Sequence, residues 1–322
     1  MKFSTLLFFL AFFTLLASAQ QRPHYSQYVQ NMSVLNPAVT GMYSGINING
    51  GIRSQWQGVE SAPKTSYLTV SMPISFGGDM ATYRASDLGV TQPATRDDKY
   101  DYQSSINHHA LGLVFINDAT GPLNRVTANL TYAYHLSISD IVNLSAGLGM
   151  GVNRVGLDVE KLKFEEEGDP VVANSNEINK YTPDLNFGLY LYRPNFYVGA
   201  VMQQILSNKL AFNGALNSGK EVPHYFITGG YQFFVGDDFS FTPSVMVKYV
   251  NPLPKSFDLN LKVAFRNNIW LGGSYRKKDA IAGMFGFNVS KIVSIGYAYD
   301  YTTSQIKTIS SGSHEIALGI KL

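Results

Sequence analysis

The stretch Phe257-Asp258-Leu259-Asn260-Leu261-Lys262-Val263-Ala264-Phe265-Arg266 alternates without a break, with Phe, Leu, Leu, Val and Phe at the odd positions and Asp, Asn, Lys, Ala and Arg at the even ones. Successive side chains of a β-strand point to opposite faces, so this period of two describes a strand with one greasy and one polar face. The same parity recurs on both sides. Phe239, Phe241, Val245, Val247 and Tyr249 face away from Ser240, Thr242, Ser244, Met246 and Lys248, and Ile316, Leu318, Ile320 and Leu322 alternate with Glu315, Ala317, Gly319 and Lys321. A soluble β-sandwich alternates too, but its strands average only about 5–6 residues. A tilted membrane strand needs about 9–11 residues and carries aromatic rings at its ends. The segments here run to that length with Phe or Tyr near their ends, which points to a transmembrane antiparallel β-barrel.

Working outward, the pattern predicts strands over 46–53, 65–74, 108–116, 125–136, 142–153, 184–192, 195–202, 224–234, 238–249, 257–266, 268–276, 280–289, 291–300 and 313–322. Fourteen is an even count, which returns both termini to one side, the periplasm for a bacterial outer-membrane barrel. Short turns at Ser137–Ile141, Arg193–Pro194, Val235–Asp237, Asn267 and Ser290 fall on the periplasmic parity, and the long polar stretches 154–183 and 203–223 fall outside. The connection 75–107 breaks the rule, being long, polar and periplasmic. It is either a true insertion or the sign of a miscounted strand.

Composition agrees with a barrel. Of 322 residues 45% are apolar and only 15% charged, against roughly 25% charged in an ordinary soluble domain, and Gly (29), Tyr (20) and Phe (20) are plentiful. With 25 Lys and Arg against 23 Asp and Glu there is no basic surplus for nucleic acid. Lys2, the apolar run 3–16 and Ala17-Ser18-Ala19 have the form of a secretory signal, so residues 1–19 are expected to be removed on export. The chain has no cysteine, hence no lipoprotein anchor, disulfide or thiol nucleophile. Past residue 16 no apolar run approaches the roughly 18–20 residues of a spanning helix.

Residues 20–45 lack alternation, and Asn36-Pro37 disfavours helix at Asn36 and marks a turn. The segment is expected either to enter the barrel as a plug or to form a periplasmic contact surface. The plug is favoured because Tyr25, Tyr28, Val34 and Leu35 would otherwise make an unexplained apolar patch. The barrel then occupies 46–322. If the greasy faces meet lipid, Asp258, Arg276, Asp300 and Glu315 point inward near the outer strand ends. They form a lumen charge cluster that pairs internally, pins a plug or loop, or binds a polar segment of a partner. Trp56, where the first strand meets the first outer loop, reads as an interfacial anchor, and Arg53 as a candidate to enter the lumen and pair with a carboxylate.

Signals for chemistry are weak. Ser313 and Glu315 share a strand face from which His314 points away, the wrong geometry for a triad. His108-His109 with Asp101 lacks a third metal ligand placed by spacing. Glu165-Glu166-Glu167 with Asp169 is by default a solvated acidic loop rather than a calcium site. Gly147-x-Gly149-x-Gly151 has no following helix, so it is not a dinucleotide fingerprint and instead permits close packing or curvature in a strand. No cofactor, metal or catalytic residue is expected.

An ordered series of short motifs runs along the chain: Tyr25-Ser26-Gln27-Tyr28, Leu35-Asn36-Pro37-Ala38, Arg53-Ser54-Gln55-Trp56 and Ala62-Pro63-Lys64-Thr65, then Thr131-Tyr132-Ala133-Tyr134, Thr242-Pro243-Ser244, Ser274-Tyr275-Arg276, Gly296-Tyr297-Ala298-Tyr299-Asp300 and Ser313-His314-Glu315. The series resembles the PorP/SprF family of the type IX secretion system of Bacteroidetes over nearly the whole chain. It departs in the polar insert around 77–105, which looks longer than the family's usual connection. The resemblance implies a non-enzymatic outer-membrane barrel of about fourteen strands, similar in architecture to the fatty-acid transporters. It also implies a role in secretion or surface attachment of a substrate such as a gliding adhesin. Implied partners are a secreted adhesin or other protein with a type B C-terminal secretion domain, periplasmic ring proteins, a peptidoglycan-binding lipoprotein and outer-membrane lipids. It marks Asn36, Pro37, Arg53, Gln55, Trp56, Pro63 and Lys64 as signature or interaction candidates. A passive channel for small hydrophobic molecules is the alternative. Lys248, Asp258, Lys262, Arg276 and Glu315 at inward positions are too charged for a fatty-acid path.

Overall fold

A computed structural model of the protein describes residues 25–74, 105–158, 161, 177–207, 209–210, 219–251, 253–266, 268–290 and 292–322. The expected signal segment 1–19, Asp101, Glu165–Glu167 and Asp169 lie outside them, as does most of 75–107. Fourteen antiparallel strands form one closed ring. They are β1 (Asn47–Ser54), β2 (Lys64–Ile74), β3 (His108–Thr120), β4 (Leu123–Ser139), β5 (Val142–Asp158), β6 (Glu177–Arg193) and β7 (Phe196–Gln203). Then come β8, in two pieces (His224–Tyr231 and Phe233–Val235), β9 (Phe239–Val250), β10 (Ser256–Phe265), β11 (Ile269–Arg276), β12 (Ala280–Asn288), β13 (Val293–Thr302) and β14 (Ser313–Lys321). Each strand pairs with its sequence neighbours, and β1 closes the ring on β14 from Asn47↔Lys321 to Ser54↔His314. Closure removes the free edges that an open sheet would expose.

The burial is inverted relative to a water-soluble protein. Along β4 the inward face carries Thr127, Asn129, Thr131, Ala133 and His135, all buried, while Leu130, Tyr132, Tyr134, Leu136 and Ile138 are exposed. On β1 Arg53 is 1% exposed and its neighbour Ile52 67%. Only an apolar solvent on the outside makes that arrangement stable, and a bilayer is that solvent.

The ring closes without any strand from the 75–107 connection, because β2 and β3 pair directly from Lys64↔Ala119 to Ile74↔His109. The connection 75–107 therefore joins β2 to β3 at the rim that carries the C-terminus and adds no strand to the described ring. The alternation pattern was too short in one region. β4, β5 and β6 run on through 123–139, 142–158 and 177–193, pairing as far as Asp158↔Glu177, so the ends of the expected 154–183 loop are strand. Beyond the lipid slab both faces of a strand meet water or the lumen, so the one-sided apolar pattern disappears although the hydrogen-bond ladder continues.

Candidate functional site

Residues 25–45 lie inside the barrel and traverse it, from the height of Glu315 and Asp300 near the rim opposite the C-terminus down to Gly45, where β1 begins. Tyr25, the first described residue, therefore lies near the rim opposite Leu322 and not beside it as the even strand count suggested. A non-periodic segment must still find partners for its backbone groups. Two short 3-10 turns, Met32–Val34 and Pro37–Val39, satisfy some of them. Asn36 is extended before its proline, and its Oδ1 accepts the Ala38 N–H at 2.9 Å while Nδ2 donates to the Leu189 carbonyl at 3.1 Å. The barrel wall supplies the rest: Gln203 Nε2 donates to Leu35 O at 2.7 Å and Ser145 Oγ to Ala38 O at 2.6 Å. Glycines let the segment lie flat against the wall, since a Cβ at Gly147 would overlap Ala38 N and one at Gly188 would overlap Asn36 Oδ1. Tyr25, Tyr28, Met32, Val34, Leu35, Val39 and Met42 are buried with Tyr67, Tyr190, Tyr192 and Phe226 of the wall, an apolar core inside a polar lumen.

The upper end of this plug is held by charge. Arg53 Nη2 meets Asp300 Oδ2 at 2.6 Å and its Nη1 meets Glu315 Oε2 at 3.2 Å; Arg276 Nη2 also meets Asp300 Oδ2, and its Nε faces Asp279 at 3.1 Å. Ser26 sits in the middle. Its N–H donates to Glu315 Oε2 at 2.7 Å, its hydroxyl donates to Asp300 at 2.7 Å and accepts from Arg53 Nη1 at 2.7 Å. Gln27 N–H reaches Glu315 Oε1 at 3.3 Å, and Tyr25 stands edge-on to Tyr67 with centroids 5.2 Å apart. Arg53, Arg276, Asp300 and Glu315 are all at most 4% exposed, so two cations and two anions balance inside the wall. Such a network is stable only while each charge keeps its partner. Just below, Asn260 Nδ2 donates to the Tyr28 hydroxyl at 2.7 Å.

Toward the rim that carries the C-terminus the plug is held by two histidines. His108 and His135 stack in parallel with centroids 4.5 Å apart. His135 Nε2 contacts Thr40 O at 2.8 Å and its Nδ1 the Tyr192 hydroxyl at 2.8 Å, while His108 Nε2 contacts Gly41 O at 3.2 Å. The Thr40 carbonyl requires the proton of His135 on Nε2, and the tyrosine hydroxyl then donates to Nδ1. Among the described residues no group of three His, Asp or Glu converges on a metal-sized gap.

The sequence candidates separate by position. Arg53, Arg276, Asp300 and Glu315 come together in one network, and Asp258 is the cross-strand partner of Arg276. Asn36 and Pro37 are buried in the plug. Gln55, Trp56 and Pro63 belong to the β1–β2 connection: Gln55 N–H donates to Pro63 O at 2.9 Å and half-buried Trp56 donates its backbone N–H to Ser313 Oγ at 3.1 Å. Lys64, at the start of β2, is exposed. Ser313 and Glu315 face the lumen while His314 faces outward to the Tyr297 hydroxyl at 2.6 Å, and His109 likewise faces outward to the Tyr132 hydroxyl. Sequence reasoning did not single out Ser26, Gln203 or His135. Parity alone could have found His135, which continues the polar series Thr127, Asn129, Thr131 into the lumen.

Between the Met32–Leu35 turn and the wall remain two small cavities of about 20 Å³ each. One is bordered by Val34, Leu35, Val114 and Ile116 together with Asn129, Thr131, Asn186 and Gln203. The other is bordered by Tyr25, Leu35, Ile116 and Phe226 together with Asp118, Arg125, Thr127 and Gln203. Their walls mix apolar and polar side chains.

Among solved structures the chain is similar to the toluene transporter TbuX of Ralstonia pickettii (TM-score 0.50, 11% identity, 90% of this chain and 93% of that one). It is also similar to the monoaromatic hydrocarbon channel CymD (TM-score 0.50, 12% identity, 90% and 92%) and to a FadL homologue of Pseudomonas aeruginosa (TM-score 0.46, 10% identity, 90% and 93%). The first two likenesses establish a shared closed β-barrel fold. No curated protein matches the sequence. Residues 17–320 match the family described as Type IX secretion system membrane protein PorP/SprF.

Proposed function

Since this chain belongs to the PorP/SprF family of type IX secretion system membrane proteins, we propose that it acts without catalysis as an outer-membrane docking barrel for a secreted substrate. The substrate is an adhesin or other surface protein with a type B C-terminal secretion domain. In this reading residues 1–19 are the export signal, 20–45 the plug and 46–322 the barrel. The C-terminus, the start of β1 and the 75–107 insertion face the periplasm, where ring proteins and a peptidoglycan-binding lipoprotein are the partners on the machinery side. The Gln55, Trp56, Pro63 and Lys64 connection faces the cell surface, where it meets the substrate.

The observation that carries this reading is the stopper. Ser26 is tied into the buried Arg53–Asp300–Glu315 network of β1, β13 and β14 while Asn36 and Thr40 are tied to β6 and β4, so the barrel's own segment crosses its lumen. A passive hydrophobic channel needs a continuous apolar path, and the buried charges of Arg53, Arg276, Asp300 and Glu315 interrupt one. A docking barrel works with a closed lumen.

The test is a comparison of surface and secreted proteins between a clean deletion of this gene, its complemented strain and the parent. Loss of one large C-terminal-domain protein assigns the dedicated role proposed. Loss of every such substrate assigns a role in the core machinery, and an unchanged profile refutes the secretion reading. Trp56→Ala and Lys64→Ala are expected to assemble normally and lower substrate display. Normal display in both removes this connection as the contact.

A further inference from the structure

Exposed aromatic rings recur around the barrel exterior, and at the rim opposite the C-terminus, across β8 to β11, four rings gather on the lipid side. Tyr225 contacts Tyr249 with centroids 5.9 Å apart, and Phe257 contacts Tyr275 at 6.4 Å. The three tyrosines are 39–46% exposed and lie on the same face as Leu259 and Leu271, the face that meets the bilayer. Two ammonium groups lie over these rings: Lys255 Nζ is 5.7 Å from the Tyr249 centroid and Lys277 Nζ 5.2 Å from that of Phe257. The Lys277 N–H donates to Phe257 O at 3.2 Å, which holds the two strand ends together.

Among the described residues no carboxylate forms an ion pair with Lys255 or Lys277. The acid of the adjoining turn, Asp279, faces Arg276 instead. At the other rim Arg266 also lies over a ring, that of Phe265 at 5.4 Å, but Asp238 neutralises it at 2.6 Å. Aromatic and basic residues at a barrel rim sit at the height of lipid headgroups, and an ammonium stacked on a ring keeps its remaining N–H donors for an anion. Arg266 thus carries its own counter-ion, whereas Lys255 and Lys277 take theirs from their surroundings.

We propose that Lys255 and Lys277, seated on the Tyr249 and Phe257 rings, bind the phosphate groups of an outer-leaflet lipopolysaccharide. The choice of leaflet rests on the orientation proposed above; the binding of a phosphorylated lipid headgroup does not. Two lysines held by neighbouring strands suit a headgroup bearing more than one phosphate, and the four rings offer its acyl chains and sugar a flat surface.

Native mass spectrometry of the detergent-solubilised full barrel tests this, with bis-phosphorylated lipid A, dioleoylphosphatidylglycerol and inorganic phosphate as separate probes. The expected result is a lipid A adduct on the parent that falls at least tenfold in the Lys255→Gln, Lys277→Gln double variant, with weaker phosphatidylglycerol binding that the variant leaves unchanged. Heat-modifiable migration shows that the variant is folded, and Arg266→Gln, at the other rim, should keep the adduct. Equal lipid A retention by variant and parent overturns the proposal. So does lysine-dependent binding of phosphatidylglycerol as strong as that of lipid A, or binding of inorganic phosphate alone. Surface labelling of a cysteine at the same rim tests orientation independently, so failure of one reading is told apart from failure of the other.

Discussion

Replacing Arg53 by Met keeps much of the side-chain volume and removes one charge from the centre of the lumen network. The guanidinium now bridges Asp300 at 2.6 Å and Glu315 at 3.2 Å and donates to Ser26 Oγ at 2.7 Å. Asp300 keeps Arg276, so the loss falls mainly on Glu315, which is left with the Ser26 N–H at 2.7 Å, the Gln27 N–H at 3.3 Å and the Tyr67 hydroxyl at 3.5 Å. Breaking a buried ion pair from one side costs about 3–5 kcal/mol. Because neutral donors remain around the carboxylate, Arg53→Met is expected to destabilise the barrel by about 3 kcal/mol, the low end of that range. Guanidinium unfolding in lipid vesicles, followed by the fluorescence of the chain's two tryptophans, measures it. Neutralising both partners should be gentler than the sum of the single changes, so Arg53→Met with Glu315→Gln should recover at least about 1 kcal/mol relative to additivity. In the single variant, hydrogen exchange at Ser26 and Gln27 should accelerate. A loss within about 1 kcal/mol, the level of an exposed pair, or strict additivity in the double variant, refutes the view that this network holds the plug.

Three other outcomes follow from the same geometry. Gly147→Val places a side chain where Ala38 lies, so amide exchange across Pro37–Thr40 should rise at least tenfold while β5 itself stays protected; unchanged exchange would show that the plug does not press on this wall. His135→Leu removes the contacts to Thr40 O and the Tyr192 hydroxyl at about 1 kcal/mol each, and a thermal melt within error of the parent would count against the histidine clamp. Leu261→Arg, on the 46% exposed outer face of β10, is expected to cost about 2–4 kcal/mol in a bilayer, whereas a neutral effect would mean that this face meets water.

Whether the C-terminus lies in the periplasm is accessible because the chain lacks cysteine. A bulky impermeant maleimide should label Ser311→Cys, in the β13–β14 connection, on intact cells, and should label Asp237→Cys, in the β8–β9 turn, only after lysis. The reverse pattern inverts the orientation and, with it, the side assigned to the substrate.

The number and order of strands were legible in the sequence, and so was the inward direction of Asp258, Arg276, Asp300 and Glu315. A bilayer imposes its demand on each strand separately: alternate residues must be apolar whatever the neighbours are, so parity survives in one dimension. Where lipid ends, that demand ends, which is why the outer parts of β5 and β6 read as loop. Other features depended on the tertiary structure, because no local rule reaches them. Ser26 meets Glu315 across 289 positions of chain and His135 meets the Thr40 carbonyl across 95. The plug has no period of its own, and its path is set by which wall side chains reach its carbonyls and by where Gly147 and Gly188 leave room. The sequence thus determined a membrane barrel with charges turned inward. Only the closed ring, by bringing β1, β11, β13 and β14 around one serine, decided that those charges hold the N-terminal segment.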